Sequence, residues 1–251
     1  MQPVRVWTVS VDRPALERDE LRAGLCAEER ARADALRWPA DRLSFIVRRG
    51  ALRRVLATEL GCEPCAVVLA QERYGKPYVA SPHVSPGRIT FSASSCASVA
   101  AIAVSWDVDV GIDIEDGRAI GYVPETVSVI LNASERREFD MISVNAQADV
   151  LLSIWTRKEA VLKAQGTGLL RSPREITVLR RAEDREVIFA DVVDGCAVCE
   201  MHRPPNIHLS VAVDGISGDL GFPLIEVSNL DRVDVSAAVG HRSSGLTVAQ
   251  G

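Results

Sequence analysis

Two acidic residues alternate with apolar ones in the segment 110–115, which has the sequence VGIDIE. Because successive side chains of a strand point to opposite faces, Asp113 and Glu115 are predicted to lie on the same face. Their Cα atoms would stand roughly 6.5 Å apart, close enough for both carboxylates to reach one cation. Such oxygens suit Mg²⁺, and Glu159 is the candidate third ligand. The same alternation also fits the solvent-exposed face of an antiparallel strand.

Lysine is rare in this chain, which has only Lys76, Lys158 and Lys163 and otherwise relies on arginine. A lysine ammonium can meet a phosphate oxygen as a point charge or exchange a proton, whereas arginine stays charged. A helix predicted from Ser153 to Gln165 and ended by the sequence GTG places Glu159 and Lys163 one turn apart. The pattern favours a phosphate-handling site, and a solvated surface ion pair is the alternative.

These segments form part of a longer pattern. Residues 111–115 read GIDIE, and about forty residues later residues 155–163 read WTRKEAVLK. Together with Gly75-Lys76-Pro77 upstream, the pattern resembles the signature of the surfactin-type 4′-phosphopantetheinyl transferases. The order of elements fits that family from about Val4 to about Val213.

The resemblance implies an α/β (α+β) fold of two similar lobes related by a pseudo-twofold axis. Each lobe would hold a small, mostly antiparallel sheet on a long helix, with the active site in the cleft between the lobes. The implied reaction transfers the 4′-phosphopantetheine group of coenzyme A to a serine hydroxyl of an apo acyl or peptidyl carrier protein. It would depend on Mg²⁺ and release adenosine 3′,5′-bisphosphate. A chain long enough for two lobes resembles the members of the family that serve polyketide and nonribosomal peptide synthases.

The resemblance also implies roles for individual residues. The metal ligands would be Asp113, Glu115 and Glu159. The catalytic residues would be Asp113, Glu159 and Lys163, with Glu159 as the base for the serine and Lys163 as the partner of the leaving phosphate. The residues expected to bind coenzyme A are Arg49, Arg53, Lys76, Ser94, Ser95, Asp113, Lys158 and Lys163. For Lys158 two positions stay open, the adenosine end of the ligand or a neighbouring carboxylate.

One position departs from the family. Before the central strand, where the family carries a histidine that contacts the coenzyme A phosphates, this chain has Ser95 in the sequence FSASSC. A serine can donate one hydrogen bond but carries no positive charge. Two outcomes follow: nearby arginines compensate, or the chain binds coenzyme A poorly. Ser95 also favours an alternative function, a catalytically weak or inactive family member that binds carrier protein or coenzyme A without transferring anything. His83 is the histidine nearest to the position in sequence, and among prolines it is interpreted as a loop residue.

Composition limits the other classes of function. The formal net charge of −5 argues against general nucleic-acid binding, which needs a clustered basic surface. No apolar run is long enough for a membrane helix, and the first residues lack a signal-peptide pattern. The sequence therefore predicts a soluble, cytoplasmic protein, and the resemblance implies that it is a monomeric enzyme. A magnesium-dependent phosphohydrolase or nucleotide-binding enzyme is a further alternative, although we find neither a Walker loop nor a Gly-x-Ser-x-Gly motif.

The expected domains are an N-terminal lobe over 1–106, a C-terminal lobe over 107–225 and a loosely ordered tail over 226–251. In the first lobe, helical spacing predicts a long helix from Asp41 to Leu60, stopped by Gly61. In the second, the strand that carries Asp113 comes before the signature helix, and short strands follow it.

Overall fold

The computed structural model describes residues 3–12, 14–80, 87–118, 124–181, 187–189, 191–201, 206–215 and 224–229. His83 and the end of the chain from residue 230 lie outside these ranges. The first half contains β1 (Val4–Ser10), α1 (Ala15–Ala23), α2 (Ala27–Ala35), α3 (Pro39–Leu60), β2 (Leu69–Gln71), β3 (Pro77–Val79), β4 (Ile89–Ser95) and β5 (Val99–Trp106). The second contains β6 (Val110–Asp116), α4 (Pro124–Ile130), α5 (Ala133–Phe139), α6 (Val144–Ala164), β7 (Leu179–Arg181), β8 (Val187–Phe189), β9 (Val192–Val193), β10 (Cys196–Glu200), β11 (Ile207–Val213) and β12 (Ile225–Asn229).

Two four-stranded sheets form the centre of the protein. The first has the order β12-β1-β5-β4, with β12 parallel to β1 and the other pairs antiparallel. The second has the order β6-β11-β10-β9 and is antiparallel throughout. Two small hairpins, β2–β3 and β7–β8, lie outside these sheets.

Strand alternation divides the apolar side chains among three buried layers. Val4 and Val6 face the second sheet and pack with Ile112 and Ile114 of β6. Val9, on the opposite face of β1, packs against the helices of the first half, of which α3 is the longest. A third cluster joins α6 to the outer face of the second sheet. The order of layers is therefore α3, first sheet, second sheet, α6.

The two long helices have defined ends. Helix α3 begins at Pro39, whose fixed φ suits the first turn, and Gly61 ends it with a left-handed φ of 65°. Helix α6 is followed by Gly166, which has a φ of 70°. Both stop signals were readable in the sequence.

The structure confirms the predicted α+β fold, with a long helix on a mostly antiparallel sheet in each half. The signature helix is longer than predicted, because it begins at Val144 rather than Ser153. The expectation of a loose tail from residue 226 is wrong over 226–229, since β12 pairs in parallel with β1. The chain thus returns to the first sheet after completing the second. Within the described residues, no helix combines the length and apolar character needed to cross a membrane.

Candidate active site

Gly111 sets the distance between the strand that carries the acidic pair and the signature helix. A Cβ placed on Gly111 would lie 1.9 Å from the carbonyl oxygen of Ala160 and 2.5 Å from the backbone nitrogen of Ala164. Only a residue without a Cβ allows this approach of α6 to β6. Asp113 and Glu115 follow at two-residue spacing and so face α6 as well.

The helix and the strand meet in a fixed register. The indole Nε1 of Trp155 donates to Glu115 Oε1 at 3.1 Å. About two turns further along α6, Lys163 Nζ donates to Asp113 Oδ1 at 2.5 Å. The hydroxyl of Ser210, on the neighbouring strand β11, lies 2.9 Å from the hydroxyl of Thr156 on α6. These contacts orient the face of α6 that carries Glu159 and Lys163 toward the acidic pair.

Asp113 lies at the junction of both halves. It is buried, and its Oδ1 also accepts a hydrogen bond from Ser94 Oγ of β4 at 2.8 Å. Lys163 Nζ donates in addition to Ser94 Oγ and to the carbonyl oxygen of Ile112, both at 3.2 Å. The alternative of a solvated Glu159–Lys163 ion pair does not describe this geometry, since the lysine pairs with Asp113 instead.

The other two carboxyl groups are destabilised in their charged form. Burial raises the pKa of Glu115, and the charge of Asp113 adds to the effect, while the hydrogen bond from Trp155 and the charge of Lys163 oppose it. Burial likewise raises the pKa of Glu159, with Lys163 opposing and the charges of Asp113 and Glu115 raising it further. The three carboxyl groups therefore lie near enough to repel one another.

The three carboxylates do not form a complete metal site in the side-chain conformations of this structure. Among the described residues, no group of three or more His, Cys, Asp or Glu side chains has the arrangement required to hold a metal ion. However, Asp113 Oδ2 and Glu159 Oε1 are both buried and have no hydrogen-bond partner. Buried carboxylate oxygens without partners are costly, and a hard divalent cation would satisfy them. The donor set thus fits Mg²⁺ chemically.

Two adjoining cavities run from this centre along α3. One has a volume of about 320 Å³ and the other about 240 Å³. The first is lined from both halves of the chain, by Lys76 on one side and by Lys163 and Gly166 on the other. The second includes Ser94 and Ser95, and Arg49 lines both. The cavities form a groove between the two lobes, and it is lined by Lys163 and Ser94, which both bond to Asp113 of the acidic centre.

Lys76 lines the groove and also joins the two halves. Its Nζ donates to Asp109 Oδ1 at 2.8 Å and to the carbonyl oxygen of Ala164, the last residue of α6, at 2.7 Å. Burial opposes ionisation of Asp109, but hydrogen bonds from Arg88 and Lys76 outweigh it and lower the pKa of that carboxyl. Asp109 could not be recognised from the sequence, because its role depends on partners far along the chain.

The expectation that Lys158 binds coenzyme A is wrong. Its side chain is fully buried, and Nζ donates to Glu135 Oε2 at 2.5 Å and to the carbonyl oxygens of Ile130 and Pro173 at 2.8 and 3.0 Å. An ammonium group has three N–H donors, and all three are used. Of the two positions left open for Lys158, the structure selects the neighbouring carboxylate.

The expectation that Arg53 binds coenzyme A is also wrong. Arg53 is buried, pairs with Glu29 of α2 and donates to the carbonyl oxygens of Pro64 and Val67 at 2.8 and 2.9 Å. Burial opposes the charge of Glu29, but hydrogen bonds from Arg53 and Arg49 lower its pKa below the usual value. Arg53 therefore holds α2 and α3 together. Arg49 shares Glu29 but remains partly exposed in the groove.

Comparisons with known proteins agree with this geometry. Residues 109–211, which include all the acidic residues of the centre, match the family described as ACPS, the 4′-phosphopantetheinyl transferase superfamily. The 4′-phosphopantetheinyl transferase HetI of Nostoc sp. is 30% identical over 168 residues, which cover 67% of this chain and 70% of that protein. The chain belongs to the 4′-phosphopantetheinyl transferase superfamily.

Other phosphopantetheinyl transferases are similar over different lengths. The 4′-phosphopantetheinyl transferase of Bacillus subtilis is 24% identical over 78% of this chain and 84% of its own length. Among solved structures, the holo-[acyl-carrier-protein] synthase of Thermotoga maritima is 22% identical with a TM-score of 0.35, and covers 45% of this chain and 66% of that one. These sequence relatives identify the chain as a phosphopantetheinyl transferase.

Proposed function

We propose that this phosphopantetheinyl transferase uses coenzyme A and Mg²⁺ to modify a serine of an apo acyl or peptidyl carrier protein and releases adenosine 3′,5′-bisphosphate. The observation that carries the proposal is the convergence of Asp113, Glu115 and Glu159 with Lys163, which lines the inter-lobe groove. We further propose that the enzyme is a monomer, that it acts in the cytoplasm, and that its two lobes divide near residue 106.

The groove suits a long ligand with phosphates at one end. Arg49 and Lys76 line it, each paired with a carboxylate, Glu29 and Asp109 respectively. Lys163 lines it beside Asp113. Phosphoryl-type transfer relies mainly on positioning and on neutralising charge, which these side chains would provide. Mg²⁺ bound by Asp113, Glu115 and Glu159 would withdraw charge from the diphosphate oxygens and orient them.

Glu159 is the proposed base. A carboxylate in the reacting site can serve as a general base, and Glu159 has one buried at the acidic centre. As the serine oxygen forms its bond to the β-phosphorus of coenzyme A, Glu159 takes the serine proton. The bond from that phosphorus to the oxygen of the departing adenosine 3′,5′-bisphosphate breaks, and Lys163 neutralises the leaving phosphate.

Mass spectrometry of a carrier protein tests the proposal. An apo carrier incubated with the enzyme, coenzyme A and Mg²⁺ is expected to gain the mass of phosphopantetheine, and a carrier with alanine at the acceptor serine is not. Glu159→Gln is expected to abolish the gain, while the matched control Glu63→Gln, at an exposed position that does not line the groove, retains it. Undiminished transfer by Glu159→Gln would remove Glu159 from the mechanism.

A binding-only member of the family is the second candidate, and Ser95 is the observation that favours it. That candidate binds carrier protein or coenzyme A and modifies no carrier. Calorimetric titration with coenzyme A beside the mass measurement separates the two, because binding with no mass gain across acyl and peptidyl carriers supports the second candidate alone.

A further inference from the structure

Glu200, the last residue of β10, contacts two consecutive turns of the signature helix. Its Oε1 accepts a hydrogen bond from Ser153 Oγ at 3.0 Å, and its Oε2 lies 3.5 Å from Nη2 of Arg157. Ser153 and Arg157 are both buried. Because residues four apart on a helix are neighbours on one face, a single carboxylate joins two turns of α6 to the second sheet.

His208 of β11 contacts the same carboxylate, with Nδ1 3.1 Å from Glu200 Oε1. Burial opposes the charge of Glu200, but the hydrogen bonds that it accepts and the positive charge of Arg157 lower the pKa of its carboxyl below the ordinary value. An ionised carboxylate can only accept, so Nδ1 of His208 carries the hydrogen. We call Ser153, Arg157, Glu200 and His208 the Glu200 cluster.

The Glu200 cluster lies on the same face of the second sheet as the acidic pair. His208 is directly opposite Glu115 in the pairing of β11 with β6. Ser210 is opposite Asp113 on one side and opposite Glu200 on the other. Directly opposite residues of antiparallel strands share a face, with Cβ atoms about 4.5–5.5 Å apart. A row of polar side chains therefore crosses three strands from the acidic centre to the cluster.

The cluster holds α6 where the face that carries the reacting groups begins. Ser153 and Arg157 lie on either side of Trp155 in the sequence, and the indole of Trp155 donates to Glu115. The close approach of α6 to Gly111 lies further along the helix. A slide or rotation of the earlier turns would separate the indole from its carboxylate.

We propose that Glu200 is a positioning residue for the transfer reaction: its bonds to α6 set the register in which Trp155 and Glu159 reach the acidic pair. The inference rests on the proposed function. None of the four residues of the cluster lines either cavity of the groove. The cluster therefore acts on the reacting centre through α6 and not through the binding of coenzyme A.

A nitrogen–proton correlation spectrum of the indole groups tests the position of α6 directly. The chain has four tryptophans, and Trp155→Phe identifies the Trp155 resonance. In Glu200→Leu the indole proton of Trp155 is expected to move upfield, because its charge-assisted bond to Glu115 is weakened. The other three indole resonances should stay in place. Glu200→Gln keeps an acceptor oxygen for Ser153 and is expected to keep the Trp155 resonance near its original position.

Kinetics on the same variants test the consequence for the reaction. In Glu200→Leu, kcat for carrier modification should fall by about tenfold to hundredfold, because a displacement of about 1 Å costs on the order of a hundredfold in rate. KM for coenzyme A should stay nearly unchanged, and Glu200→Gln should recover most of the loss. Ser153→Ala removes the helix donor and leaves the charge of Arg157 paired. It should change the resonance and kcat in the same directions, and it decides the question if Glu200→Leu does not fold.

Asp149→Asn is the matched control. Asp149 also faces His208 from α6, at 3.7 Å, but its side chain is 73% exposed and such a pair contributes little. This variant is expected to keep both the Trp155 resonance and kcat.

An unmoved Trp155 resonance in folded Glu200→Leu or Ser153→Ala, or a loss confined to KM or to the free energy of unfolding, would overturn the assignment. Failure of the proposed function is a different result, the absence of transfer by the unaltered protein. The spectra are recorded without coenzyme A, Mg²⁺ or carrier, so they test the role of the cluster in placing α6 in either case.

Discussion

Replacing Gly111 with alanine is the most direct test of how the fold builds the site. The new Cβ would meet the Ala160 carbonyl oxygen at 1.9 Å, whereas ordinary van der Waals contact begins at 3.4 Å, so the helix would have to retreat by about 1.5 Å. The atoms in its way belong to the backbone of α6 and cannot rotate aside. Glu159 and Lys163 are in the same turns of the helix and would move with it.

The expected loss of activity is large compared with the loss of stability. A misplacement of about 1 Å in a catalytic group can cost on the order of a hundredfold in rate, so kcat/KM for carrier modification should fall by about that factor or more. Overpacking of a tight contact costs about 1–3 kcal/mol, and each kcal/mol lowers the melting temperature by about 2–4 °C in a chain of this size. Transfer is measured by mass spectrometry on protein shown to be folded by circular dichroism.

Gly117→Ala provides the control, because Gly117 directly follows β6. Its Cβ would come no closer than 3.3 Å to the end of the Leu152 side chain, which can adjust. This variant should keep near-normal activity and melting temperature. If Gly111→Ala transferred phosphopantetheine as fast as Gly117→Ala, the close approach of α6 to β6 would not be what positions the catalytic side chains.

Two further substitutions test the charges around the site. Lys158→Met should lower the free energy of unfolding by about 3–5 kcal/mol in urea titration, because it leaves Glu135 charged and buried without its partner; if the free energy of unfolding were unchanged and only coenzyme A affinity fell, Lys158 would be a ligand contact after all. In Glu159→Gln, the metal-free protein at pH 8 should melt a few degrees higher than the unaltered protein, by differential scanning fluorimetry in EDTA. The pKa of Glu159 is raised in the folded state, so its ionisation destabilises the fold as pH rises, and the gain should vanish below the ordinary glutamate pKa, near pH 4. A gain that is the same at both pH values, or a lower melting temperature at pH 8, would contradict this account.

Local spacing predicted which faces of β6 and α6 carry the acidic residues, and the resemblance to the family is what joined the two faces into one predicted site. The two-residue period of β6 placed Asp113 and Glu115 on one face, and the helical period of α6 placed Glu159 and Lys163 on another. Gly111 was part of the motif, although its reason became clear only from the contact with α6. Sequence periodicity decides which face a side chain occupies, so it predicts well wherever two regular elements meet.

The start of α6 and the strand β12 were harder to predict for physical reasons. The first residues of α6 read VNAQAD, which shows no apolar stripe, and Val144 is 81% exposed. Strand β12 contributes little to the core, with Val227 39% exposed, and it is held by pairing with β1 more than 200 residues earlier in the chain. A periodic pattern of apolar residues arises where one face of an element is buried, and neither of these segments is buried enough to show one.

The roles of the basic residues could not be predicted from spacing, because they depend on which opposite charge lies within reach. Lys158 and Lys163 share one helix and one motif, yet Lys158 is enclosed by Glu135 and two carbonyl groups, whereas Lys163 pairs with Asp113 and lines the groove. Arg53 and Arg48 differ in the same way, since Glu29 neutralises Arg53 while Arg48 keeps its charge beside Ser95. A motif specifies that a cation is present. The partners that tertiary folding brings to it decide whether that cation stabilises the fold or remains available to a phosphate.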